Sequence, residues 1–206
     1  AAPPAKSGQG PRLFGDYVLD ELLAKGGMGA VYKVRNVHTG QPFALKVLLA
    51  GTKASKKQLH RFRREAKVQM ELDHRNIVKI HDAGEWEGVL YYAMAMIEGS
   101  DLDTFATLER NVRYRIIAKT CRALHYAHEQ GYIHRDLKPA NILIDQEGEP
   151  LLTDFGLTKN LEGTTQLTQE GAIMGTPFYM SPEQATGKAN TMGPPSDIFS
   201  MGVLLY

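Results

Sequence analysis

The period of the hydrophobic pattern changes near Glu98-Gly99, and that change constrains the fold of this chain more than any other feature. Before it, Tyr17 to Ala24, Ala30 to Asn36 and Pro42 to Leu48 are short runs rich in Val, Leu, Tyr and Phe, separated by glycine-bearing turns. Such runs predict an antiparallel meander. Between Ser55 and Leu72 the apolar residues Leu59, Phe62, Ala66 and Met70 fall at helical spacing with Lys, Arg and Glu between them, which predicts one amphipathic helix. Val78 to Trp86 and Val89 to Met94, joined by Glu87-Gly88, then complete a five-stranded sheet, and the N-terminal lobe ends there. Beyond it the chain turns helical: Ile116, Ile117, Thr120, Leu124 and Ala127 form a long stripe that stops at Gly131, a natural helix C-cap.

Composition narrows the class. With 206 residues, 43% hydrophobic and 23% charged, the chain is long enough for one sizeable core or two small lobes. A formal charge of +1 gives no basis for a general affinity for nucleic acid or an anionic membrane. The single cysteine, Cys121, sits in an apolar helical pattern and reads as a buried structural thiol, which suits a reducing cytoplasm. No apolar stretch reaches the roughly 18 residues needed to cross a bilayer. The Pro-, Gly- and Ala-rich opening over residues 1–13 reads as a flexible linker. With no initiator Met there and an apolar run from Met201 to Tyr206 at the other end, the chain is expected to be cut from a longer one.

Chemistry enters at His134-Arg135-Asp136-Leu137-Lys138-Pro139-Ala140-Asn141, followed 13 residues after Asn141 by Asp154-Phe155-Gly156. The triplet alone would ordinarily mean only a turn; eight ordered positions with the triplet at that distance are far more specific. The stretch resembles the catalytic loop and metal-binding turn of protein kinases, residue for residue. The resemblance implies that Asp136 orients a hydroxyl and accepts its proton, that Lys138 steadies the moving γ-phosphate, and that Asn141 and Asp154 hold Mg²⁺. Leu137-Lys138-Pro139-Ala140-Asn141 resembles the serine/threonine form of the loop rather than the tyrosine form. His134 is expected to pack against Phe155 rather than to react. Ser196-Asp197-Ile198 resembles the start of the helix whose aspartate anchors the catalytic-loop backbone.

The phosphate-binding end of the template lies upstream. Gly26-Gly27-Met28-Gly29 between the first two strands is by itself a weak signal, because a glycine-rich turn there is usually just a turn. Its weight comes from order: Phe43-Ala44-Leu45-Lys46 follows, with Lys46 17 residues after Gly29. A lysine among apolar neighbours requires a partner. Glu65, on the only helix of that lobe, is the candidate. Similarity to kinases gives ATP as the nucleotide, with Leu23, Gly26, Gly29, Val31, Ala44, Lys46, Glu65, Met94, Ala95, Ile97 and Leu143 as its contacts. Met94 would border the back pocket, and the main chain of Ala95 and Ile97 would bond adenine. The family pattern has glycine where Ala24 stands and glutamate where Ala95 stands.

The resemblance runs from about Tyr17 to Tyr206 and implies a bilobal α+β kinase-like fold. It divides into an N-terminal lobe over 14–96, with a five-stranded antiparallel sheet and one helix, and a mainly helical C-terminal lobe over 97–206, incomplete within its central helix. Gly26-Gly27-Met28-Gly29, His128-Glu129-Gln130-Gly131 and Ser181-Pro182-Glu183-Gln184 look most like the bacterial branch. The implied activity is transfer of the ATP γ-phosphate to Ser/Thr hydroxyls of protein substrates in the cytoplasm, with autophosphorylation. Thr164, Thr165 and Thr168 are the phosphorylation candidates, Glu170 is a candidate standing charge for Arg135, and Thr176 is expected to bond Asp136 and Lys138. Two alternatives stay open. One is a pseudokinase scaffold, which Ala24 leaves room for and the presence of Lys46, Asp136, Asn141 and Asp154 argues against; the other is a small-molecule kinase, disfavoured by the long segment between Asp154 and Glu183.

Overall fold

A computed structural model describes residues 12–26, 29–49, 55–102, 107–155, 177–186 and 193–206, and the chain forms two compact units. The first comprises residues up to Glu71 together with Val78–Ile97; the second comprises Leu72–Ile77 and everything from Glu98 onward.

The first unit is an antiparallel sheet of β1 (Arg12–Phe14), β2 (Tyr17–Lys25), β3 (Gly29–Asn36), β4 (Pro42–Leu48), β5 (Ile80–Trp86) and β6 (Val89–Ala95), in the order β1-β2-β3-β4-β6-β5. It has six strands rather than the expected five, because Arg12 and Leu13, assigned to the linker, pair with Leu19 and Val18. The sheet curls until its edges meet: Phe14 on β1 lies 4.7 Å from Trp86 on β5, and the Tyr17 hydroxyl donates to Asp82 at 2.9 Å. Burial, and then the Asp82 carboxylate, push the Tyr17 phenol well above its ordinary pKa. Inside the curl, Phe14, Tyr17, Ala30, Val34, Phe43, Leu45, Val47 and Ala93 form the core.

The other face of the sheet is set by register. Val31 opposes Lys46, Ala44 opposes Met94, and Lys46 opposes Tyr92, so these five side chains share a face, as a period of two requires. Helix α1 (Lys56–Glu71) belongs to the same unit and opens with a capping box: Ser55 Oγ accepts from the Gln58 amide, and Gln58 Oε1 accepts from the Ser55 amide. Among its described side chains, Phe62, Glu65, Ala66 and Gln69 are buried. Met70, expected on that face, is instead 48% exposed.

The second unit holds a three-stranded sheet, β7 (Gly99–Asp101), β8 (Ile142–Asp145) and β9 (Pro150–Leu152), with helices α2 (Arg110–Glu129), α3 (Pro182–Ala185) and α4 (Pro194–Leu205). Residues 72–77 belong to it because Asn76 Nδ2 donates to the Pro150 carbonyl at 2.7 Å and Ile77 bridges Leu152 in parallel. Helix α2 buries Ile116, Thr120, Ala123, Leu124 and Ala127. It ends where Gly131 takes φ +80°, with the amides of Gly131 and Tyr132 returning to the carbonyls of His128 and Ala127. Cys121 is exposed, not buried as expected: it lies more than 100° around the helix from the centre of that buried face, at 100° per residue. Among the described residues no helix is long and apolar enough to cross a membrane.

Candidate active site

Each unit carries one cluster of the expected residues. In the first, strand β4 presents Lys46 and α1 presents Glu65, and the lysine Nζ lies 3.1 Å from Glu65 Oε1 with both residues buried. The lysine thus has the partner that its apolar surroundings demand. Ala44 and Met94 flank it on the same face, both buried. Val31, Ala95 and Ile97 are half-buried and Leu23 is exposed at the outer end of β2. The N–H of Ala95 donates to the Lys79 carbonyl at 2.9 Å, so an adenine bond at Ala95 would fall to its carbonyl. Gly26 donates to the Gly29 carbonyl at 2.8 Å and closes the hairpin. A Cβ on Gly29 would sit 2.6 Å from the Val47 carbonyl oxygen, which only glycine avoids. Gly27 and Met28 lie outside the described residues.

The second cluster grows from the end of α2. His134 is fully buried: its Nε2 donates to the Thr153 carbonyl at 2.9 Å, its Nδ1 accepts from the Asp136 amide at 3.3 Å, and its ring lies 4.7 Å from Phe155. That is the packing role expected of it. A 3-10 turn at Pro139–Asn141 folds the loop back on itself. Asn141 Nδ2 donates to the Asp136 carbonyl at 2.7 Å and to Asp136 Oδ2 at 3.3 Å, while Lys138 Nζ donates to that same carboxylate oxygen at 3.0 Å. Asp136 is therefore fixed by two donors yet partly open to solvent. The Thr153 amide donates to the Asn141 carbonyl at 3.1 Å, which ties the chain just before Asp154 to the turn. Leu143 is half-buried on β8.

These residues suit a hard divalent cation. The amide nitrogen of Asn141 is committed to Asp136, which leaves Oδ1 as its ligand atom, and Asp154 adds a carboxylate; oxygen pairs of this kind bind Mg²⁺ together with phosphates and water.

Asp197, at the first turn of α4, holds the loop from beneath. Its Oδ2 accepts from the His134 amide at 2.9 Å and stands 2.7 Å from His128 Nε2, and its Oδ1 accepts from the Arg135 amide at 2.8 Å. Burial pushes this carboxyl up, but the His128 bond, the nearby His134 and the two backbone amides outweigh burial and hold it below the ordinary carboxylate range. The resemblance pointed to Asp197; it did not point to His128 or to Gln184, whose Nε2 donates to the Arg135 carbonyl at 2.7 Å. Gln184 is itself fixed by the capping box with Ser181, and Glu183 accepts from Ser196 Oγ at 2.5 Å. Arg135 and Asp154 have positive φ, 66° and 61°. Gly156, Thr164, Thr165, Thr168, Glu170 and Thr176 lie outside the described residues.

The protein kinase domain family matches residues 17–206. The chain is 37% identical over 204 residues to serine/threonine-protein kinase PknB of Mycobacterium leprae, covering 95% of this chain and 32% of that protein. It is 36% identical over 201 residues to serine/threonine-protein kinase PrkC of Bacillus subtilis, covering 96% and 31%. The chain thus spans about a third of the length of these relatives. Among solved structures, the kinase domain of Mycobacterium tuberculosis PknI superposes with a TM-score of 0.73 at 28% identity, covering 97% of this chain and 76% of that one.

Proposed function

The chain belongs to the protein kinase family, in its bacterial serine/threonine branch, and we propose that it transfers the γ-phosphate of ATP to Ser and Thr hydroxyls of protein substrates. The observation that carries this reading is the grip on Asp136, whose Oδ2 takes a hydrogen bond from both Lys138 and Asn141. Phosphoryl transfer asks for position and charge more than for covalent chemistry. Held in this way, Asp136 orients the incoming hydroxyl and accepts its proton as the new O–P bond forms. The Lys138 ammonium, 3.0 Å from that oxygen, offsets charge on the phosphoryl group in flight.

Asn141 and Asp154 would hold Mg²⁺, which neutralises phosphate charge when bound. In the first unit, Lys46 would bind the α- and β-phosphates, oriented by Glu65, and the Gly26–Gly29 hairpin would close on the phosphates with backbone N–H groups. Leu23, Val31, Ala44, Met94, Ala95 and Ile97 are the proposed contacts of the nucleoside, and Leu143 is proposed as a further one. ATP supply places the domain in the cytoplasm. Thr164, Thr165 and Thr168 are the proposed autophosphorylation sites.

Transfer of radiolabelled phosphate from ATP to a protein acceptor tests the reading. Asp136→Asn is expected to lower kcat by about 10²-fold or more while ATP still binds, in the range of positioned acid-base groups. A wild-type protein that binds ATP and transfers nothing would make this a nucleotide-binding scaffold instead.

A further inference from the structure

The pair of Lys46 and Glu65 has a third member that no motif singled out. Tyr92 lies on β6 directly across from Lys46 and is completely buried. Its hydroxyl donates to Glu65 Oε1 at 2.5 Å, the same oxygen that receives Lys46 Nζ at 3.1 Å. Its ring lies 5.1 Å from Phe62, one turn before Glu65 on α1, and the Lys46 ammonium stands 5.7 Å from the ring centroid. One side chain therefore touches the lysine, the glutamate and the helix that carries the glutamate.

A buried phenol needs a hydrogen-bond partner, and most find a neutral carbonyl or water. A carboxylate is a stronger acceptor, and O–H···O⁻ bonds of this length are charge-assisted. With the lysine as its only donor, Oε1 of Glu65 would be held along a single direction by a flexible four-carbon stem. The phenol comes from a rigid strand and fixes that oxygen from a second direction. We infer that Tyr92 is a positioning residue for phosphate binding: it anchors Glu65 to the sheet, keeps α1 seated, and so presents Lys46 in one geometry. Its effect on transfer rests on the kinase reading proposed above. The clamp itself does not.

A purely structural role, filling the space between α1 and the sheet, belongs to the ring. Tyr92→Phe in the intact protein keeps the ring and removes only the donor. Two readouts follow: kcat/KM for ATP in phosphoryl transfer, and hydrogen exchange of the α1 amides around Glu65. Loss of one charge-assisted bond is expected to lower kcat/KM and to speed α1 exchange, each by about fivefold or more, while exchange in β3 and β4 is unchanged. In a Glu65→Ala background, where the phenol has no carboxylate to anchor, the same change is expected to move both readouts by less than about twofold. A Tyr92→Phe protein with either readout at the wild-type value, or with equal losses in both backgrounds, overturns the inference. If the wild type transfers no phosphate, the kinase reading fails, and exchange alone decides the clamp: faster α1 exchange sustains it and unchanged exchange refutes it.

Discussion

Replacing Asp197 with Asn tests how much of the loop that begins at His134 is held from below. The carboxylate takes three donors: the His134 amide at 2.9 Å, the Arg135 amide at 2.8 Å and His128 Nε2 at 2.7 Å, the first two on different oxygens. An asparagine has the same shape but one acceptor oxygen, so whichever way the amide turns, one backbone N–H meets an NH₂ group. A hydrogen bond to a charged acceptor contributes about 1.5–3 kcal/mol, and an orphaned buried donor adds a desolvation penalty of about 1–3 kcal/mol. Because the amide relaxes away from the clash, the expected loss is about 2–4 kcal/mol, a large share of the roughly 5–15 kcal/mol that stabilises a domain. For a chain of this size that lowers Tm by about 4–16 °C. Urea denaturation of wild type and Asp197→Asn gives the free energy, and amide exchange at His134 and Arg135 locates it. A stability loss under about 0.5 kcal/mol, or unchanged exchange at those two amides, would refute the claim that Asp197 is the anchor.

The same carboxyl sets an acid limit. Its folded pKa is depressed, so its contribution is fully present above the unfolded aspartate value near 3.9 and is lost as pH falls through the folded value. An acid unfolding curve should show this limb in wild type and lack it in Asp197→Asn. Gly29→Ala should cost about 1–3 kcal/mol in thermal or urea unfolding, because the new Cβ meets the Val47 carbonyl at 2.6 Å, whereas Gly26→Ala, whose nearest neighbour among the described residues is 4.0 Å away, should melt like wild type. Lys46→Met and Asp154→Ala should both abolish transfer, but only Asp154→Ala should make ATP binding insensitive to Mg²⁺ in a calorimetric titration; equal metal dependence would contradict the roles assigned.

What the sequence made legible is what order along the chain can carry. Lys46 and Glu65 are 19 residues apart with no periodicity to join them, and they were paired because the motifs came in sequence; the structure puts them 3.1 Å apart. The α1 face was read less well for a physical reason. Leu59, Phe62, Ala66 and Met70 define an apolar stripe, but the buried face is turned roughly 60° from it, at 100° per residue. Gln69 lies beside Phe62 at its centre and Glu65 at the edge away from the stripe, and polar residues on a buried face pull a hydrophobic pattern off its true axis. Gln69 is satisfied there by donating to the Val78 carbonyl at 2.8 Å. Strands β1, β7 and β9 have three residues each, too few for a period of two to show. Tyr92 and Gln184 were missed because their polar atoms matter through partners 27 and 49 residues away, which no local signal encodes.

The positive φ at Arg135 and Asp154 follows the same logic. For residues with a Cβ this conformation costs on the order of 1–3 kcal/mol each. Locally, the bond from the Asp136 amide to His134 Nδ1 spans Arg135. Further restraints arrive from elsewhere in the unit. Arg135 is pinned at both ends of its own backbone, its amide by Asp197 and its carbonyl by Gln184, residues on two different helices. Asp154 is fixed through its neighbours: the Thr153 amide and carbonyl are taken by Asn141 and by His134, and Phe155 is buried against the His134 ring. His134 serves both sets, since its amide goes to Asp197 and its imidazole to Thr153. The strained peptides at Arg135 and Asp154 are thus coupled through one buried histidine. A change that loosens α4 under Asp197 is therefore expected to speed amide exchange at Thr153, beside Asp154 43 residues earlier in the chain, without any contact between Asp197 and Asp154 being required; unchanged exchange there would refute the coupling.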